Sequence, residues 1–241
     1  GKGGPMDLVE ARRLYGLAAA QGIPSAQQNL AVMNREGEGG PVDLVEARRL
    51  YGLAAAQGCA NAQQSLALMN REGIGGPVDL VEARRLFSLA IAQGNEHAQS
   101  QLADLHYEGK DEPQDLVEAR RLYGLAAAQG NPRAQQSLAA MTYRGKGGPM
   151  DLVEARRLYG LAAAQGIPTS QHSLGVMNYE GIGGPVDLIE ARRLYGLAAA
   201  QGNPKAQQSL GRMNYEGQGG PVDLVEARRL YGLAAAQGIP S

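Results

Sequence analysis

The chain has 241 residues, 23 basic against 24 acidic side chains, 5% aromatics, no tryptophan and one cysteine. Near-neutral charge without a Lys/Arg block disfavours nucleic acid or an anionic membrane as partner, and no apolar run reaches the roughly 18 residues that span a bilayer. A lone thiol, Cys59, cannot close an internal disulfide, so packing alone must hold the fold, and a cytoplasmic, reducing setting is mildly favoured.

A 36-residue unit recurs from residue 3, giving units 3–38, 39–74, 75–110, 111–146, 147–182 and 183–218 and a partial copy, 219–241. Such a period means stacked supersecondary units, each burying its apolar face on its neighbours. In each unit a first helix, helix A, starts at an aspartate such as Asp7, with Glu10 at capping-box spacing. The run LVEARRLYGLAAAQ then places Leu8, Ala11, Leu14, Tyr15, Ala18 and Ala19 on one buried face. Gly22 ends this helix. Asn203-Pro204 shows how helix B begins, with an N-cap and a first-turn proline. Helix B carries Ala26, Leu30 and Met33 inward and stops at Gly37, and Pro41 blocks helical continuation into the next unit. The expected class is all-α, an array of helix–turn–helix hairpins with no strand.

The run Ala206, Leu210, Gly211, Met213, Gly217, Gly219, Asp223, Ala227, Tyr231, Ala234, Ala235 and Gly238 resembles the Sel-1-like repeat, a relative of the tetratricopeptide repeat. The resemblance recurs at every period and covers essentially the whole chain. Three departures stand out: Leu14 and its equivalents replace a family Trp, Asn34, Asn70, His106, Thr142, Asn178 and Asn214 replace a Tyr, and Glu10 and its equivalents replace a Lys. A cysteine-rich branch of the family staples each hairpin with a disulfide, and its activity is not carried over to a chain lacking those cysteines. The resemblance implies a right-handed α/α superhelical solenoid with helix A lining the concave surface, and a scaffold or adaptor role in protein–protein interaction.

Helix A hardly changes along the chain, whereas helix B varies in the columns headed by Ser25, Val32 and Arg35. A face that accepts Asp, Arg, Leu and Ala points to solvent, so the varied face of helix B is expected outside. Helix A presents Val9, Arg13, Gly16 and Ala20 opposite its buried face, with Arg12 on the flank. The candidate binding residues are therefore Arg48, Arg49, Gly52, Arg84, Arg85, Ser88, Arg120, Arg121, Gly124, Arg156, Arg157, Gly160, Arg192 and Arg193. The helix glycines read either as a groove floor or as close helix–helix contact, and the second is favoured because it is the commoner use. The arginines read either as solvated or Glu-paired side chains, such as Arg13 with Glu10, or as a ladder for carboxylates of an extended acidic peptide. Unit three departs most, with Ser88, His97, Asp104, His106 and the loop KDEPQD, and reads as a drifted copy or a specialised patch. His172 reads as an isolated surface residue.

No phosphate loop, nucleophile–base pair or metal-ligand cluster is visible, so the expectation is a non-catalytic scaffold without cofactor or metal. Its partner is a protein or peptide held on helix A. The alternative is a structural spacer or self-assembling rod. Residues Gly1–Pro24 repeat as Gly145–Pro168 without polar terminal units, so self-association through uncapped ends is a further expectation.

Overall fold

The computed structural model describes residues 7–110 and 112–239. The loop glycines Gly3 and Gly4, the charge at Asp111 and the terminal Pro240 and Ser241 lie outside the described residues. Among the described residues there are thirteen α-helices and no strand. The chain divides into two compact units between Asp115 and Leu116. The first holds α1 (Leu8–Ala20), α2 (Pro24–Glu36), α3 (Leu44–Ala56), α4 (Ala60–Glu72), α5 (Leu80–Ala92) and α6 (Glu96–Glu108). The second holds α7 (Leu116–Ala128), α8 (Pro132–Arg144), α9 (Leu152–Ala164), α10 (Pro168–Glu180), α11 (Leu188–Ala200), α12 (Pro204–Glu216) and α13 (Leu224–Ala236). Odd-numbered helices are helix A and even-numbered ones helix B, the expected hairpin repeat.

Within each unit of the fold a helix B packs on the helix A of its own hairpin and, more extensively, on the helix A that follows. This second contact buries Ala47, Leu50, Tyr51, Ala54 and Ala55 of α3 and their equivalents. In α1, which no helix B precedes among the described residues, Leu14 and Tyr15 stay 51% and 37% exposed. The first-turn leucine joins the core only in part: Leu8 is half-buried, Leu188 packs on the edge of the core, and Leu44 is exposed. The loop crosses the first turn at this point and leaves that side chain at the rim. Gly75 makes the crossing possible: its φ is +68°, and a Cβ there would sit 2.1 Å from the Leu44 carbonyl oxygen.

Half of the expected capping box forms. Asp43 accepts from the Glu46 backbone N–H at 2.9 Å, and the same bond recurs at Asp79, Asp151, Asp187 and Asp223. The reciprocal bond has no donor to take, because the Asp43 N–H already donates to the Asn34 carbonyl at 2.8 Å. The Glu46 carboxylate turns to Arg49 instead.

The varied face of helix B is only partly in solvent. The Ser25 column is exposed throughout, but the Val32 and Arg35 columns are half-buried, apart from Arg212 and Tyr215. Successive helices B meet along these columns. Arg71 of α4 donates to Gln101, Asp104 and Glu108 of α6 at 2.8, 3.3 and 2.7 Å. In α10 and α12, Arg212 lies 4.9 Å over the Tyr179 ring. The columns vary because each partner pair solves the same seam with different chemistry.

Candidate functional site

The paired arginines of helix A separate into two kinds. The first of each pair is a latch. Arg48 is half-buried and donates to the side chain of Asn70, to the Ile74 carbonyl at 3.3 Å and to the Pro77 carbonyl at 2.9 Å. Arg12, Arg156 and Arg192 do the same with Asn34, Asn178 and Asn214. Arg120 uses the Thr142 hydroxyl at 3.4 Å and the Pro149 carbonyl at 3.0 Å. Arg84 differs, reaching the Leu105 carbonyl and Glu112, because His106 and the altered loop replace the usual acceptors. The asparagine standing where the resemblance expects a tyrosine is thus the acceptor of this latch.

The second arginine of each pair points outward. Arg49, Arg85, Arg121, Arg157 and Arg193 are 56–58% exposed, each forked onto the glutamate three residues before it at 2.6–2.8 Å. The hydrogen bond from Arg49 and Arg157 holds the Glu46 and Glu154 carboxyls below the ordinary carboxylate range. Each outward arginine is therefore already neutralised by its own helix.

Between these pairs the helix A surface is apolar. Val45, Val81, Val117, Val153 and Ile189 are 68–74% exposed, and Leu53, Leu89, Leu125, Leu161 and Leu197 are 39–42% exposed. Gly52, Gly124, Gly160 and Gly196 have no atom within 4 Å of where a Cβ would stand. Close helix–helix contact, the favoured expectation for them, is not what they serve: they leave open space. Ser88, at the same position in α5, turns its hydroxyl back onto the Arg84 carbonyl at 2.9 Å. Gly52 and Ala56 of α3 floor an open hollow of ≈ 430 Å³ walled by Arg85 and Leu89 of α5. The same hollow, ≈ 390 Å³, lies between Gly196 and Ala200 of α11 and Arg229 and Leu233 of α13. The exposed leucine row is a feature that sequence reasoning missed, although one Leu unchanged in every copy, next to the helix glycine in all but the third, was its signal.

A second missed feature is a glutamine ladder. Buried Gln63 donates to the Ala55 carbonyl at 3.3 Å and accepts from Gln93 of the next repeat at 2.8 Å. Gln27 with Gln57, Gln135 with Gln165, Gln171 with Gln201 and Gln207 with Gln237 repeat the link between hairpins. His172 is not an isolated surface residue. It is half-buried, its ring centroid 5.5 Å from that of Tyr195 and its Nε2 3.4 Å from the Ser209 hydroxyl. Burial, and then the charge of Lys205, hold its imidazole below the ordinary histidine range. Burial likewise pushes the Tyr195 phenol up to about 12.

Among the described residues no helix is long and apolar enough to cross a membrane. The family description "Sel1 repeat" matches residues 1–23, 24–59, 60–95, 96–131, 132–167, 168–203 and 204–239, a register that starts each repeat at helix B. A protective antigen of uropathogenic Escherichia coli displaying an SLR fold is 34% identical, with a TM-score of 0.90 over 98% of this chain. This chain spans about half of that protein, 51% of its length. A Sel1 repeat protein from Oxalobacter formigenes is 33% identical, with a TM-score of 0.84, covering 96% of this chain and 67% of its own. Yeast Tom70 shares the fold alone, at 15% identity and a TM-score of 0.51, covering 95% of this chain and 55% of its own. No curated protein matches the chain in sequence. Such repeats generally mediate protein–protein interaction and are typically non-catalytic. With its helical hairpins, its recurring register and these two solved relatives, the chain belongs to the Sel1 repeat family.

Proposed function

We propose that the outward face of helix A docks a protein or peptide segment, and that its contact is chiefly apolar. The observation that carries this reading is the recurring hollow, open over Gly52 and Gly196 and walled by exposed leucines of the next helix A. Open glycines in a helix interior disfavour the helix by about 1 kcal/mol each relative to alanine. That space suits the close approach of another chain. The Glu-paired arginines support a polar rim around apolar pockets rather than a ladder for acidic peptides, because a ligand carboxylate would have to displace a forked ion pair. The latch arginines contribute by fixing the repeat, not by meeting the partner.

The test is a peptide-display selection against the purified chain. Selected binders are expected to be apolar and to persist in high salt. They are expected to lose binding to the double variant Leu161→Lys/Leu197→Lys and to keep it in Arg133→Glu on helix B. Binders indifferent to the leucine changes would overturn the assignment of this face.

A further inference from the structure

In the second unit, residues of α8, α9 and α10 line a half-open cavity of ≈ 170 Å³, apart from the outward face of helix A. It is lined by Tyr143, Arg144, Tyr159, His172, Ser173 and Val176, with Met177 on its floor. None of these is acidic. Two of them are exceptions within their own columns. Helix B ends in Glu36, Glu72, Glu108, Glu180 and Glu216 in the other five copies, but in Arg144 here. His172 stands where the others carry Gln28, Gln64, Ser100, Gln136 and Gln208. Two departures on different helices, one acid-to-base and one to a titratable base, converge on a single cavity.

The neighbours make an anion the fitting occupant. Arg144 is exposed at the mouth, and its charge reaches the Tyr159 phenol. The phenol of Tyr159 and the hydroxyl of Ser173 add polar groups at the wall. His172 faces Arg144, Tyr143 and Tyr159 across the cavity and Tyr195, Ser209 and Lys205 on its other side. Val176 and Met177 supply an apolar floor.

We propose that this cavity binds a small organic carboxylate, with Arg144 as the permanent charge, His172 as a second, titratable donor and Val176 and Met177 beneath the apolar body of the ligand. Charge-assisted bonds from a guanidinium to a carboxylate are among the stronger polar contacts available to a site this small. Burial and Lys205 disfavour the charged form of His172. A bound anion offsets Lys205 and favours the imidazolium, so binding takes up a proton and tightens as the pH falls through the histidine range.

Histidine imidazole NMR signals of the purified chain, titrated with sodium benzoate, test the proposal; benzamide serves as the neutral control. The chain has three histidines, and His172→Gln assigns the relevant signal. Benzoate is expected to shift the His172 signal saturably and to raise its titration midpoint, while benzamide leaves both unmoved. Arg144→Glu restores the residue of the other copies. It is expected to keep the melting temperature and to weaken benzoate by about tenfold or more. Absence of a saturable shift, benzamide matching benzoate, or undiminished affinity in Arg144→Glu would each overturn the site.

Discussion

Ser170 is fully buried where five other copies carry alanine, and its hydroxyl has no hydrogen-bond partner. A buried hydroxyl left unsatisfied costs about 1–3 kcal/mol. Ser170→Ala should therefore stabilise the chain, by about 1 kcal/mol once the small loss of packing is allowed for, and a urea denaturation midpoint reads this directly. Comparable reasoning explains why some single positions were legible from sequence and others not. Asp43 announced itself as a cap because the bond it makes is local. Gly52 did not announce its role, since a missing side chain serves close contact and open space alike; only the position of the neighbouring helix decides between them. His172 gave no sign of burial because its contacts come from residues 23 and 37 positions away, Tyr195 and Ser209, reached by packing alone.

At the scale of the helices, periodicity specified where each begins, ends and buries its face, and the structure follows it closely. What periodicity does not encode is the polar wiring between elements. The Arg156 latch reaches Asn178, Ile182 and Pro185, and the glutamine links span 30 residues. Both depend on how hairpins lean together. The two neighbouring arginines of α9 give a direct contrast. Arg156→Ala strands the Asn178 side-chain carbonyl and two loop carbonyls and should lower stability by about 2 kcal/mol, the worth of a charged hydrogen-bond set. Arg157→Ala removes only an exposed ion pair and should leave the urea midpoint nearly unchanged. Equal effects of the two substitutions would remove the distinction between latch and rim.

For the molecule as a whole, the outward Glu–Arg pairs add up to a shared acid sensitivity. Hydrogen bonds from arginine hold Glu10, Glu46, Glu154 and Glu226 below the ordinary value of 4.5. A carboxyl lowered on folding contributes stability above its unfolded value and loses it as the pH falls through its folded value. The melting temperature should thus decline below about pH 4.5, less steeply in high salt, where exposed pairs are already screened. Thermal melts followed by circular dichroism between about pH 7 and pH 2.5 check the direction; a melting temperature flat through the acid limb would deny the pairs any role. The latch has a different kind of consequence. Its donor, its side-chain acceptor and its carbonyl acceptors all come from one 36-residue stretch, and five glutamine rungs offer their neighbours the same amide. Genetic gain or loss of whole copies carrying this set then leaves no orphaned partner behind, so the number of such repeats is free to change between lineages while the joint between two of them stays the same.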